Sequence, residues 1–160
     1  MMTQEQSQEI WNRIKDIEVV MLTTQSDELL RARPMYQVQK QFDGTMWFLT
    51  SEESAKAAEL GDNQQVCLAY ADPQHGVFVS MSGSAGLVKD KALIEKFRNP
   101  AAEGWIDDRA GAQNLTLLEV HVEQAEAWDD ETSAMKRLFE NAKSTLTHTK
   151  PDLTEHRKYS

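Results

Sequence analysis

The chain has 160 residues, of which 26 are acidic and 17 basic, leaving a formal net charge of −9 with 40% hydrophobic residues. The composition lies in the globular range and the length fits one domain with a sizeable core. The acidity excludes a protein that works by neutralising nucleic-acid phosphates or anionic lipid, because its long-range field would repel both. Cys67 is the only cysteine, so there is no internal disulfide, four-cysteine zinc cage or CxxC redox pair. The first residues lack a basic start followed by an apolar run, and no stretch approaches the length of a membrane span. A soluble, cytoplasmic protein is expected.

Thr3 followed three residues later by Gln6 is a capping-box pattern, and Ile10, Trp11, Ile14 and Ile17 recur at helical spacing, which predicts a helix over residues 4–18. Strand signals follow at 18–24, within the mixed run 29–42, and at 46–50. Asp43-Gly44 is the strongest hairpin signal in the chain, because a two-residue loop needs positive φ that both residues accept. It predicts that the second and third strands pair, giving three consecutive antiparallel strands. Ser51 is placed to cap a short helix running to about residue 60, with Gly61 ending it.

Strands over 65–71 and 77–88 flank a turn from Asp72 to Gly76, a second hairpin. Asp90 opens a helix over 91–98 that Asn99-Pro100 breaks. A polar, loop-like stretch containing Trp105 leads to a long strand over 115–128 and a helix over 131–146. The tail from Thr147 is polar and expected to fray. One domain over 1–146 with a polar tail over 147–160 is the expected organisation. Strands joined mostly by hairpins, with helices in the gaps and at the ends, point to a mainly β fold, an antiparallel barrel or sandwich with peripheral helices.

The stretch richest in chemistry is Arg31-Ala-Arg33-Pro34-Met35 together with Trp47-Phe48-Leu49-Thr50 and the following Ser51, Ser54 and Lys56. Arg31, Arg33 and Met35 alternate onto one strand face, and the expected hairpin sets them beside residues 47–50. A helix start with hydroxyl donors and a cation then suits a phosphate. The plainer alternative is that Ser51 is only an N-cap, Lys56 pairs with Glu52 at i, i+4, and both arginines are solvated; such pairs contribute about 0.5 kcal/mol. Glu52 and Glu53 must point away for a phosphate to fit.

The Arg-Pro-Met strand, acidic-glycine turn, Trp-Phe-Leu-Thr strand and Ser-Ala-Lys resemble the pyridoxamine phosphate oxidase-like flavin proteins, in particular the general stress protein 26 branch. Tyr70-Ala71-Asp72, the strand from Val79 to Ala85, the Trp105 segment and Ala127-Trp128-Asp129 extend the resemblance over nearly the whole chain. It implies an antiparallel split β-barrel with flanking helices that dimerises and holds FMN, or alternatively FAD, in clefts at the subunit interface. By motif, Arg33 and Lys56 would contact the phosphate, with Thr50 and Ser54 donating hydroxyl hydrogen bonds beside Ala55. Pro34 and Met35, with Phe48 and Leu49, would lie along the isoalloxazine ring, and Ser82 and Trp105 would reach it across the dimer.

The implied function is a flavin-dependent oxidoreductase, with a non-catalytic flavin-binding or flavin-sequestering stress protein as the alternative. Tyr36 and Arg33 are the nearest candidates for a general acid. Two departures stand out. The vitamin-making oxidases carry Arg-Lys where this chain has Ala55-Lys56, and their substrate-gripping C-terminal segment has no counterpart after Thr147. Pyridoxamine phosphate oxidation is therefore not implied.

Other signals carry less. His121 and Glu123 form an H-x-E without the P-C-x-x-C of zinc deaminases, and with Glu119 they read as the solvated face of a strand whose other face is Leu118, Val120 and Val122. No metal site is expected. Cys67 reads as a small hydrophobe, and the glycine in the small-residue run 80–86 as a bulge or a point of close approach by a ligand.

Overall fold

The computed structural model describes residues 2–57, 60, 64–106, 114–129 and 155–160. The expected helix over 131–146, the Gly61 stop and the first part of the tail lie outside them. Helix α1 (Gln4–Ile14) begins on the capping box: the Gln6 N–H donates to Thr3 Oγ1, and the Thr3 N–H donates to Gln6 Oε1. Its buried side is Ser7, Ile10, Trp11 and Ile14. The helix ends four residues earlier than periodicity predicts, because a tight turn follows in which the Ile17 N–H reaches the Ile14 carbonyl. Ile17 still reaches the core, so the apolar period outlasts the helix.

Strands β1 (Val19–Ser26) and β2 (Leu29–Tyr36) form a hairpin through Asp27, whose φ of 51° is a left-handed conformation that aspartate tolerates. Strand β3 (Thr45–Ser51) leads into the short helix α2 (Glu52–Ala57). Strands β4 (Gln64–Asp72) and β5 (Val77–Val88) form the expected second hairpin. Helix α3 (Lys91–Phe97) starts where Asp90 accepts the Ala92 and Leu93 N–H groups. In place of a loop, the single turn α4 (Pro100–Glu103) follows, capped by Asn99. The long strand β6 (Leu115–Asp129) comes next, and β7 (Glu155–Tyr159) closes the order.

The sheet runs β2-β1-β4-β5-β6-β3, antiparallel throughout, with β7 on β6 beyond the end of β3. This corrects one expectation: Asp43-Gly44 does turn the chain, with Gly44 at φ 106°, but it delivers β3 to β6 instead of β2. The two ends of the sheet meet at one bridge, Gln37 to Phe48, and there the barrel is split. The reason lies in two amides. Gln37 Nε2 donates to the Ile14 carbonyl at the end of α1 (3.2 Å), pinning the end of β2 to the helix. Gln39 donates to the Thr45 carbonyl (3.0 Å) and accepts from the Trp47 N–H (2.7 Å), satisfying β3 groups that a neighbouring strand would otherwise pair.

The barrel interior holds Val20, Leu22, Met35, Met46, Phe48, Leu68, Tyr70, Met81 and Leu118, with α1 adding Ile10, Trp11 and Ile14. A smaller cluster lies on the outer face of β3 and β6. There Leu49 and Leu117 meet Ala102, Leu93, Ile94 and Phe97, and Trp47 stacks on Phe97 at 5.7 Å. Helices α3 and α4 thus cover the strand that bounds the split.

Gly83 sits at a bulge against β6, and a Cβ there would collide with the His121 carbonyl. The close approach is made by the protein's own backbone, so of the two explanations for this glycine the bulge is the one seen. Tyr159 and Arg157 of β7 both donate to Glu9 Oε1 on α1, at 2.7 and 3.0 Å. The expectation of a frayed tail therefore fails for these residues: side-chain anchors far away in sequence hold the strand.

Candidate functional site

The split leaves a cavity of about 220 Å³ between β2, β3, α2 and α4. Its walls bring together seven of the residues expected to contact the cofactor, Arg33, Pro34, Met35, Leu49, Thr50, Ser54 and Trp105, with Tyr36, the other general-acid candidate. Leu60, Ala102 and Ile106 complete the lining. Ala102, Trp105 and Ile106 share a helical spacing, the one signal by which the last wall was legible.

Arg33 is cross-strand from Leu22, a barrel-interior residue, so its side chain leaves β2 on the core side. Burial first, and then the nearby Arg31, hold its guanidinium below the usual arginine pKa. Its Nε is buried with no hydrogen-bond partner among the described residues. Desolvating a cationic donor without a partner is costly, so the position suits an anion that none of the described residues provides. Arg31 is exposed and outside the cavity wall.

Ser51 is fully buried; it accepts the Ser54 N–H at 3.1 Å and donates its own hydroxyl proton to Ser54 Oγ at 2.9 Å. Because a hydroxyl has one proton, the Ser54 O–H is left free to donate elsewhere. Ser51 is thus more than a cap. Helix α2 has only six residues, however, too short for a strong end field, so the anion donors here are side chains. Glu52 pairs with Lys89 at 2.9 Å, and neither Glu52 nor Glu53 lines the cavity. The alternative Lys56–Glu52 pairing involves a side chain outside what is described. Lys56 lies on α2, two residues past Ser54, with its side chain outside what is described.

Three expected contacts are placed differently. Phe48 and Ala55 are wholly buried in the main core, where neither side chain reaches the cavity. Phe48 faces inward because β3 alternates and its partner Leu118 is interior. Ser82, expected to reach the cleft of a partner chain, is exposed on the outer face of β5 and does not line its own chain's cavity. Trp105, expected from across a dimer, stands at the rim of its own chain's cavity, 6.5 Å from the Tyr36 ring. Its N–H donates to the Ala102 carbonyl, and Arg98 bridges Glu95 and Glu103 to brace the α3–α4 corner beneath it.

Among the described residues no group of three or more histidine, cysteine, aspartate or glutamate side chains is arranged to hold a metal. His121 and Glu123 are exposed, as the solvated-face reading required. Among the described residues no helix is long and apolar enough to cross a membrane.

A family profile described as pyridoxamine 5'-phosphate oxidase-like matches residues 5–152. The structure is similar to that of the general stress FMN/FAD binding protein from Xanthomonas citri, with 32% identity, a TM-score of 0.67, and coverage of 82% of this chain and 93% of that one. A candidate general stress protein 26 from Jannaschia sp. CCS1 shares the fold at 23% identity and TM-score 0.67, covering 94% of each chain. Protein bli-3 of Neurospora crassa is 31% identical over 61 residues, 38% of this chain, and the match spans only 29% of that protein's length.

Proposed function

This chain belongs to the pyridoxamine 5'-phosphate oxidase-like family, and from that premise we propose that it binds FMN in the cavity at the barrel split and acts as a flavin-dependent oxidoreductase of the general stress protein type. The observation that carries the reading is the buried Arg33 Nε, without a partner among the described residues, in a cavity that the Ser54 and Thr50 hydroxyl side chains also line and whose other walls are mostly apolar or aromatic. A cation and hydroxyls at one end and a flat apolar wall at the other match a phosphate and an isoalloxazine ring. Arg33, Ser54, Thr50 and Lys56 would hold the phosphate. Pro34, Met35 and Leu49 would line the ring, with Phe48 and Ala55 supplying backbone and support from below. When bound, FMN would supply hydride or electron transfer, and the chain's part is to bind, orient and shield it. The general stress FMN/FAD binding protein of Xanthomonas citri supports a flavin ligand.

The proposed working unit is a cytoplasmic homodimer. A cavity of about 220 Å³ is smaller than the roughly 300–1,000 Å³ usual for cofactor sites, so one chain supplies only part of a wall. The outer face of β2, β1, β4 and β5 is built from Leu30, Ala32, Pro34 and Tyr36 and their cross-strand neighbours, down to Phe78, Ser80 and Ser82, without a charged residue among them. In a chain with 27% charged residues, an uncovered face of this kind fits a second copy. Pro34 and Tyr36 belong to both the face and the cavity, so a partner docked there would bring its Ser82 strand to the cleft.

A second reading, flavin sequestration without turnover, is favoured by one observation: among the described lining residues there is no carboxylate, histidine or thiol to move a proton. The test is an absorbance spectrum of the purified protein, mass identification of the released cofactor, and its mass by light scattering. Colourless protein that gains no thermal stability from FMN would refute flavin binding. Monomeric protein with FMN bound would refute the shared cleft. Reduced flavin that reoxidises equally fast with every acceptor, and is not formed from NADH or NADPH, would favour sequestration.

A further inference from the structure

The face of β2 that carries Arg33 continues past the cavity. Side chains alternate along a strand, so Leu29, Arg31, Arg33 and Met35 share that face, with Arg31 opposite Thr24 and Arg33 opposite Leu22 on β1. Arg33 and Met35 line the cavity, and Arg31 and Leu29 lie beyond it. Burial falls steadily along the row: Met35 is buried, Arg33 half-buried, Arg31 exposed and Leu29 61% exposed. The row is a track leading from the cavity to solvent, with about 7 Å between successive side chains at a strand rise of about 3.3 Å.

Arg31 forms no ion pair among the described residues, in a chain with 26 acidic residues against 17 basic. Its charged neighbour is a second guanidinium: burial first, and then Arg31, hold Arg33 below the ordinary arginine pKa. Opposite Arg31, Thr24 is 1% exposed, and its Oγ1 has no hydrogen-bond partner among the described residues. A buried hydroxyl without a partner is costly, and it has a proton to donate. Beyond Arg31, Leu29 leaves an apolar side chain uncovered. Two cations in succession and then an apolar shelf suit a ligand whose first phosphate continues into a second and then into a nucleoside.

We propose that Arg31 and Thr24 form a second anion subsite which, with Leu29 as the shelf beyond it, extends the flavin site from a monophosphate to a pyrophosphate-linked nucleotide. The proposal rests on the flavin reading and deepens it. FMN would end at Arg33, whereas FAD would run on along β2 as far as Leu29. Arg33 then recognises the phosphate common to both ligands, and Arg31 distinguishes the dinucleotide from the mononucleotide. A second phosphate beside both guanidiniums also sets an attraction against their mutual repulsion.

The test titrates riboflavin, FMN and FAD into the full chain and its Arg31→Met, Thr24→Val and Leu29→Ser variants. Thermal midpoints without ligand serve as the folding control, and the exposed positions 29 and 31 should leave them unchanged. The unaltered chain should bind FAD at least as tightly as FMN. Arg31→Met should weaken FAD roughly tenfold, the low end for a hydrogen bond to a charged group, and FMN by about twofold or less. Thr24→Val and Leu29→Ser should each weaken FAD by about threefold and leave FMN and riboflavin as before, the size of a weak single contact. Arg31→Met that weakens FMN and FAD by the same factor, or neither, would overturn the subsite and leave flavin binding standing. An unaltered chain that binds FMN but not FAD would do the same. An unaltered chain that binds none of the three would overturn the flavin reading, and the subsite with it.

Discussion

Replacing Arg33 with methionine should move stability and ligand affinity in opposite directions. The guanidinium leaves β2 on the interior face beside Leu22, its Nε is buried without a partner among the described residues, and burial together with Arg31 disfavours its charge. An unsatisfied buried donor costs about 1–3 kcal/mol, taken here at the low end because the head group is partly exposed. Methionine keeps the length and apolar contact of the stem while removing the orphan donor. The ligand-free variant should therefore be as stable as the unaltered protein, or more stable by about 1 kcal/mol, in urea unfolding. A hydrogen bond to a charged group contributes about 1.5–3 kcal/mol, so FMN affinity measured by calorimetry should fall roughly ten- to hundredfold. Riboflavin, which lacks the phosphate, should bind as before. A urea midpoint that drops with the substitution, or an equal loss of riboflavin, would show that Arg33 is a structural residue and refute the argument.

Three further outcomes follow from other parts of the fold. Glu9 is held below its ordinary pKa of 4.5, first by the Tyr159 hydroxyl and then by Arg157 and Arg13, and Glu126 likewise by His156 and Lys158. A depressed carboxylate adds stability above its unfolded value and loses it as pH falls through the folded one. The protection of the β7 amides relative to their intrinsic exchange rates should therefore be lower below about pH 4.5 than at neutrality, and Glu9→Gln should flatten that dependence; protection that does not change with acid would contradict the anchoring. Gly83→Ala should destabilise by about 3 kcal/mol in urea unfolding, since the new methyl meets the His121 carbonyl at the bulge; a neutral result would show that β5 and β6 separate freely there. Gln39→Leu should cost about 1–2 kcal/mol by stranding the Trp47 N–H and Thr45 carbonyl. Unchanged exchange of the Trp47 amide would show that Gln39 does not guard the edge of β3.

What the sequence determined by itself was local chemistry and the order of parts. The capping box of Thr3 and Gln6, the Asp90 cap, the β4–β5 hairpin and the alternation along β6 are settled by residues within a few positions of one another, and they were legible for that reason. Most of the cavity wall was legible too, because Arg33 to Met35 and Leu49 to Ser54 are two short segments with a recognisable pattern. Only the tertiary structure decided how those segments meet. Asp43-Gly44 specifies a turn but not a partner: β3 pairs with β6, and on its other edge the Gln37 and Gln39 amides stand where a ladder with β2 would run. That choice sent Phe48 inward, opened the split and made room for the cavity. The place of Trp105 depended on α3 and α4 packing over Leu49 and Leu117, and that of β7 on Glu9, some 150 positions away. Contacts between residues so far apart leave no local pattern, since each partner alone is equally at home on a solvated surface.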